Sequence, residues 1–137
     1  MTETSATRDA DLIREHYRIT YGAVPTGIDE RLRVAEAFDR LPVEDAFAML
    51  RHRVLHQNPL GGRVQQLVHF GQLLALGRSD PARLHARGAL HAGANLADLV
   101  GVAETALITA GTPAYALGIE IVNELLTTDG DGVLSDA

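Results

Sequence analysis

Histidine is the side chain whose charge changes near neutral pH, and the chain has six of them. His85 sits in Ala82-Arg-Leu-His-Ala-Arg-Gly-Ala-Leu90, between Leu84 and the small residues Ala86, Gly88 and Ala89, which let another helix approach closely. Half-buried beside a carboxylate, it would give or take a proton; a hydrogen-bonded core histidine is the plainer reading. Glu104 is the only ionisable group after Asp98 in the apolar run Leu99-Val-Gly-Val-Ala-Glu-Thr-Ala-Leu-Ile-Thr-Ala110. An isolated buried charge is expensive, so its carboxylate is expected to pair with an arginine or histidine, or to act as a general acid–base. Gln65, His69 and Gln72 fall at i, i+4 and i+7 beside Leu67, Phe70, Leu73 and Leu74. That polar stripe either meets solvent or another subunit, or places Gln66 and His69 in a pocket. His52 and His56, four apart, could hold a metal from one helix face, but no HExxH pattern, cysteine or suitably spaced third ligand accompanies them. Asp129 and Asp131 lack the spacing and closing glutamate of a calcium loop. No metal site and no cofactor is expected.

The elements that must position these groups are helices. Twenty alanines and nineteen leucines against few aromatics favour close-packed helices over sheet, and no segment alternates with period two. A first helix is expected over Asp11–Gly22, with Leu12, Ile13 and Ile19 apolar, and a second over about Asp29–Arg40, with Leu32, Ala35 and Phe38. A third carries Val43, Ala46, Phe47, Leu50 and Val54 as one apolar face. Asn58-Pro-Leu-Gly-Gly62 is a loop, and a fourth helix runs Arg63–Leu76 and stops at Gly77. Ser79 reads as the cap of a fifth helix with Pro81 in its first turn; Asn95 caps a sixth that ends at Gly111, and a seventh runs from Pro113 to about Thr127. The pattern predicts a flexible segment over 1–10, one all-α domain over 11–128 folded as an orthogonal helical bundle of about seven helices, and a flexible tail over 129–137.

Composition removes whole classes of chemistry. With no cysteine there is no thiol nucleophile, disulfide framework, thiol peroxidase or zinc–thiolate site, and with no lysine there is no Schiff base and no P-loop. The three serines, Ser5, Ser79 and Ser135, are poorly placed for a triad. A net charge of −6 argues against nucleic acid or an anionic membrane as partner. No apolar stretch approaches the roughly 20 residues needed to span a bilayer, and the first residues lack a signal-peptide pattern, so a cytoplasmic location is expected.

Several segments, read in order, resemble the carboxymuconolactone decarboxylase family, which includes the alkylhydroperoxidase AhpD-like proteins. They are Tyr21-Gly-Ala-Val-Pro25, Arg63-Val-Gln-Gln-Leu-Val68, Leu73-Leu-Ala-Leu-Gly77, Leu84-His85, Gly88-Ala-Leu90, Gly93 and Ala110-Gly-Thr-Pro113. The likeness covers roughly Asp11–Leu126. It implies an AhpD-like all-α bundle that assembles as a homotrimer or hexamer. It also implies, for the decarboxylase branch, a reaction on a small lactone acid without metal or organic cofactor. The peroxidase branch needs paired cysteines and is excluded. The family's glutamate in an Arg-Glu-Leu context falls at Gln66, and its histidine is retained as His85. Thr105 and Thr109 stand where a histidine or glutamine and a tyrosine are common, and Gly101 replaces a common glutamate. The resemblance implies a cofactor-independent lyase or isomerase on a small cyclic or lactone-type carboxylic acid. His85 and Glu104 would be its catalytic pair, in a pocket between the fourth, fifth and sixth helices. Gln66, His69, Thr105 and Thr109 would bind substrate, with Arg83 or Arg87 as carboxylate clamp. The alternative is a catalytically inactive member that binds a ligand or builds an assembly.

Overall fold

A computed structural model describes the backbone of residues 2–136 and the side chains of residues 9–128. The described residues form α1 (Thr2–Tyr21), α2 (Ile28–Ala37), α3 (Leu41–His56), α4 (Gly62–Leu76), α5 (Ser79–His91), α6 (Leu96–Ala110) and α7 (Thr112–Asp136), with no strand among them. The fold is all-α with seven helices, as the composition and the stop signals predict. The helical backbone of α1 starts ahead of Asp11 and that of α7 continues beyond Thr127. The chain divides into two compact units, Met1–Gly62 and Arg63–Ala137.

In the first unit, α1 buries Ala10, Ile13, Tyr17, Thr20 and Tyr21, a stripe at helical spacing, while Leu12 and Ile19 are exposed. α2 contributes Ile28, Leu32 and Ala35. The third helix departs from expectation. Its buried residues are Leu41, Ala48 and Leu55, and the apolar face Val43, Ala46, Phe47, Leu50 and Val54 is turned to solvent. A seam of one residue every two turns is enough to seat a helix against two neighbours, and Ala48 at its middle allows a close approach. Phe38, expected with the apolar stripe of α2, is likewise exposed. Phe47 is partly covered by cations, with the Arg31 and Arg51 guanidiniums 5.3 and 5.8 Å from its ring centre.

The second unit has an alanine-rich core. Ala82, Ala86 and Ala89 of α5, Ala103 and Ala106 of α6 and Ala114 of α7 pack with Phe70, Leu74, Leu99 and Ile121. Small residues bring the backbones together, and Gly118 of α7 is the tightest point. A Cβ there would lie 2.6 Å from Ala103 Cβ. Asn95 and Asp98 form a reciprocal capping box that opens α6, and Gly111 closes it at φ 92°. Ser79 is not the expected cap but the first residue of α5, behind Arg78. The reason is local. α4 ends with Gly77 N–H donating to Leu74 O and Arg78 N–H to Leu73 O, so the reversal uses both connecting residues and leaves none to cap α5. No helix among the described residues is long and apolar enough to cross a membrane.

Candidate active site

Gln66 and His69, one turn apart on α4, meet His85 of α5 at the joint of the two helices inside the second unit. Gln66 and His85 are each 3% exposed, so any polar atom they hold must find a partner within the fold. They find each other, His85 Nδ1 and Gln66 Oε1 lying 2.8 Å apart. An amide oxygen only accepts, so Nδ1 carries the ring proton and Nε2 is the basic nitrogen. The half-buried His69 lies against the same ring, the centroids 3.7 Å apart and the planes at 40°. Gly88, one turn beyond on α5, makes room for the amide. A Cβ there would stand 3.0 Å from Gln66 Cδ and Oε1. The neighbouring Gln65 is also buried, and its Oε1 has no hydrogen-bond partner among the described residues.

The remaining expected residues are placed elsewhere. Glu104 is exposed and makes no ion pair or side-chain hydrogen bond among the described residues. The expectation of a buried or paired carboxylate is therefore corrected: α6 seats itself through Leu99, Ala103 and Ala106, and that narrow stripe of small residues leaves Glu104 on the opposite side. The partner of His85 is Gln66 instead. Arg83 is held in a bidentate pair with Glu124 of α7, both N···O distances 2.9 Å, with Glu120 also at 3.5 Å. These bonds raise the Arg83 pKa, and Arg83 first, then Arg87, holds the Glu124 carboxyl below its usual range. Arg87 is exposed. Residues two apart on a helix point roughly 200° apart, so neither arginine shares the His85 face of α5.

Thr105 and Thr109 line a cavity of about 570 Å³ between α4 and α6, whose walls include Val64, Val68, Gly71 and Val102. Their hydroxyls are already committed, Thr105 to Gly101 O at 3.0 Å and Thr109 to Thr105 O at 3.3 Å. None of Gln66, His85 and Glu104 lines that cavity. By helical spacing Gln66 and His69 lie on the other side of α4 from Val64, Val68 and Gly71, so the expected single pocket resolves into a buried histidine joint and an apolar groove.

A second group of histidines is built in the first unit. His52 and His56 of α3 are joined by His16 of α1, which no spacing in the sequence connects to them; the one nitrogen each offers lies within 4.8 Å of the others. This is the third imidazole whose absence set aside a metal in the sequence. Burial, then the Arg51 cation and the two other histidines, lowers the His16 pKa to about 4. Arg51 itself lies over the rings of Tyr17 and Tyr21 and donates to the Tyr21 hydroxyl, whose pKa burial pushes up.

The described site and fold have a family context. No curated protein and no solved structure matches the sequence. The model of the carboxymuconolactone decarboxylase family matches residues 42–124, more than half of the chain, including Gln66, His69 and His85 and leaving out α1 and α2. By that match the chain belongs to the carboxymuconolactone decarboxylase family.

Proposed function

We propose that the chain is a cofactor-independent lyase or isomerase acting on a small cyclic or lactone-type carboxylic acid, with His85 as the group that moves the proton. The observation that carries this reading is the buried Gln66–His85 hydrogen bond with His69 against the same ring. Loss of CO2 from such an acid leaves the electron pair of the broken carbon–carbon bond on the ring carbon, spread into the neighbouring lactone carbonyl. A proton must then be delivered to carbon. His85 suits that step. Its Nδ1–H is fixed by Gln66, so Nε2 is the nitrogen that picks up a proton and hands it on. Burial keeps bulk water away from the ring. Gln66 keeps the size and hydrogen bonding of a glutamate while transferring no proton, which leaves the acid–base work to histidine. The exposed Glu104, the engaged Arg83 and the outward Arg87 are given no catalytic role.

The test is turnover of a carboxymuconolactone by the purified chain and by His85→Gln. General acid–base catalysis contributes about 10²–10⁴-fold, so His85→Gln should lose at least about a hundredfold while its melting temperature stays within a few degrees. Unchanged turnover removes His85 from the reaction.

A second reading rests on a different observation, the exposed apolar face of α3. The exposed Val43, Leu50 and Val54, with Phe47 partly under the Arg31 and Arg51 cations, favour association of copies of this chain, for which the family resemblance implies a trimer or hexamer. A catalytically silent assembly protein would keep that association and show no turnover with any lactone acid. Sedimentation of the wild type and of Leu50→Glu tests it, and a monomeric wild type refutes it.

A further inference from the structure

Three imidazoles converge in the first unit from two helices. His52 and His56 are one turn apart on α3, so both point from the same face, and His16 reaches them from α1, which packs against α3. The ring centres are 5.6 Å (His16–His52), 5.8 Å (His16–His56) and 5.2 Å (His52–His56) apart. We infer that His16, His52 and His56 form a binding site for one divalent transition ion, zinc being the ion the set suits best, with a fourth position left for water or an anion.

The geometry needs little adjustment. Zinc bonds of 2.0–2.1 Å in a tetrahedron put ligand nitrogens about 3.3 Å apart. The nitrogens here lie within 4.8 Å of one another, and side-chain rotations that shift each by about 1 Å close the gap. An all-imidazole set with no carboxylate selects zinc, cobalt, nickel or copper over magnesium or calcium. The outer hydrogen bonding also fits. The Thr20 hydroxyl lies 3.0 Å from His16 O, to which it can donate, and 2.7 Å from His56 Nε2. Donating to His16 O lets the hydroxyl accept from His56 Nε2–H, an arrangement that would leave the lone pair on Nδ1 for an ion. The His16 Nε2 is buried with no hydrogen-bond partner among the described residues, a requirement a metal bond meets. His16 and His52 are half-buried while His56 is exposed, so an ion can enter on the His56 side. The neighbouring Arg51 cation favours a negatively charged fourth ligand, such as hydroxide, chloride or a carboxylate. His16 lies outside the residues that match the family, so the triad is a feature of this chain's own first helix.

The test uses the full chain without an affinity tag, stripped with a chelator and titrated with Zn2+ against a chromophoric competitor and with Co2+ by visible absorption. One Zn2+ per chain is expected, with the intense visible bands of four-coordinate Co2+. His52→Gln and His56→Gln should each weaken binding by at least about a hundredfold, and Thr20→Val, which removes no ligand, by about ten- to a hundredfold. Melting of each metal-free variant reports its fold; should one fail to fold, the other decides, and in the wild type Zn2+ but not Mg2+ should raise the melting temperature. No retained ion, or unchanged affinity in a folded His52→Gln or His56→Gln, overturns the inference. His85→Gln should bind Zn2+ like the wild type, so its loss of turnover and the loss of metal are separable.

Discussion

Alanine at position 88 tests the α4–α5 joint without touching either polar partner. Gly88 is helical, so its replacement by alanine would ordinarily stabilise the chain by about 0.5–1 kcal/mol through the unfolded state and helix propensity. Here the new Cβ would stand 3.0 Å from Gln66 Cδ and Oε1 and 3.1 Å from Nε2, closer than ordinary contact. The amide must move, and it is the amide that accepts from His85 at 2.8 Å. Leaving a buried donor and acceptor unmatched costs about 1–3 kcal/mol, which exceeds the propensity gain. Gly88→Ala should therefore destabilise by about 0.5–2 kcal/mol, a fall of about 2–8 °C in melting temperature for a chain of this size. Thermal unfolding by circular dichroism gives the number, and the His85 ring resonances report the broken bond. The sharper assay repeats the substitution in a Gln66→Ala background, where the obstacle is gone. There the same change should be stabilising, and the two effects should differ by more than about 1 kcal/mol. Equal stabilisation in both backgrounds would refute the proposed coupling of residue 88 to the histidine joint.

Two other outcomes follow from the packing and the charges. Gly118→Ala places a Cβ 2.6 Å from Ala103 Cβ, which cannot swing aside, and 3.0 Å from the Cδ1 of the fully buried Leu74. Overpacking of this kind costs about 1–3 kcal/mol, measurable as a shifted denaturation midpoint, and a variant as stable as the wild type would show that α6 and α7 are not so closely seated. His16 has a folded pKa of about 4 against an ordinary 6.5, so the unfolded chain binds this proton more tightly and acid favours unfolding. The associated stability is fully present above about pH 6.5 and is lost as the pH falls towards 4; between pH 7 and 5 it amounts to about 2 kcal/mol unscreened and about 1 kcal/mol with the solvent exposure of the ring. Melting curves of the chelator-treated chain should steepen with acid over that range, and His16→Gln should flatten them; an unchanged slope places the proton elsewhere.

The number of helices is legible in the sequence because their ends are written in residue chemistry. Gly77, Gly93 and Gly111 adopt positive φ where helices stop, and Asn95 with Asp98 starts one. Burial is less legible. The spacing of Val43, Phe47, Leu50 and Val54 proves that an apolar stripe exists on α3, but spacing does not say which stripe meets a neighbour, and Leu41, Ala48 and Leu55 carry the seam. Glu104 misleads for a related reason. In a helix as apolar as α6 almost every direction looks like core, yet Leu99, Ala103 and Ala106 alone seat it, and the carboxylate points away. Gln66, His69 and His85 were accessible to sequence reasoning because a polar stripe on one helix faced a histidine among small residues on the next. His16 was not, since its distance from His52 is closed only by the packing of α1 on α3.

A chain without lysine or cysteine leaves imidazole as the versatile group, and the partners chosen for it decide what each ring can do. A carboxylate beside a histidine orients the ring but also favours its charged form, so at neutral pH fewer rings are unprotonated and ready to take a proton or bind an ion. An amide oxygen or an accepting hydroxyl orients the ring without adding charge. Gln66 does this for His85 and leaves Nε2 basic, and an accepting Thr20 would do the same for His56 and leave Nδ1. Gln66→Glu then becomes more than a restoration of the glutamate usual in the family, because it would trade a neutral acceptor for a charged one beside a ring already shared with His69. If proton transfer to carbon limits turnover, the substitution should move the pH profile of activity to higher pH, by favouring imidazolium at His85, and leave Zn2+ affinity as in the wild type. A pH profile that does not move would mean that the residue 66 partner sets only the orientation of His85 and not its charge.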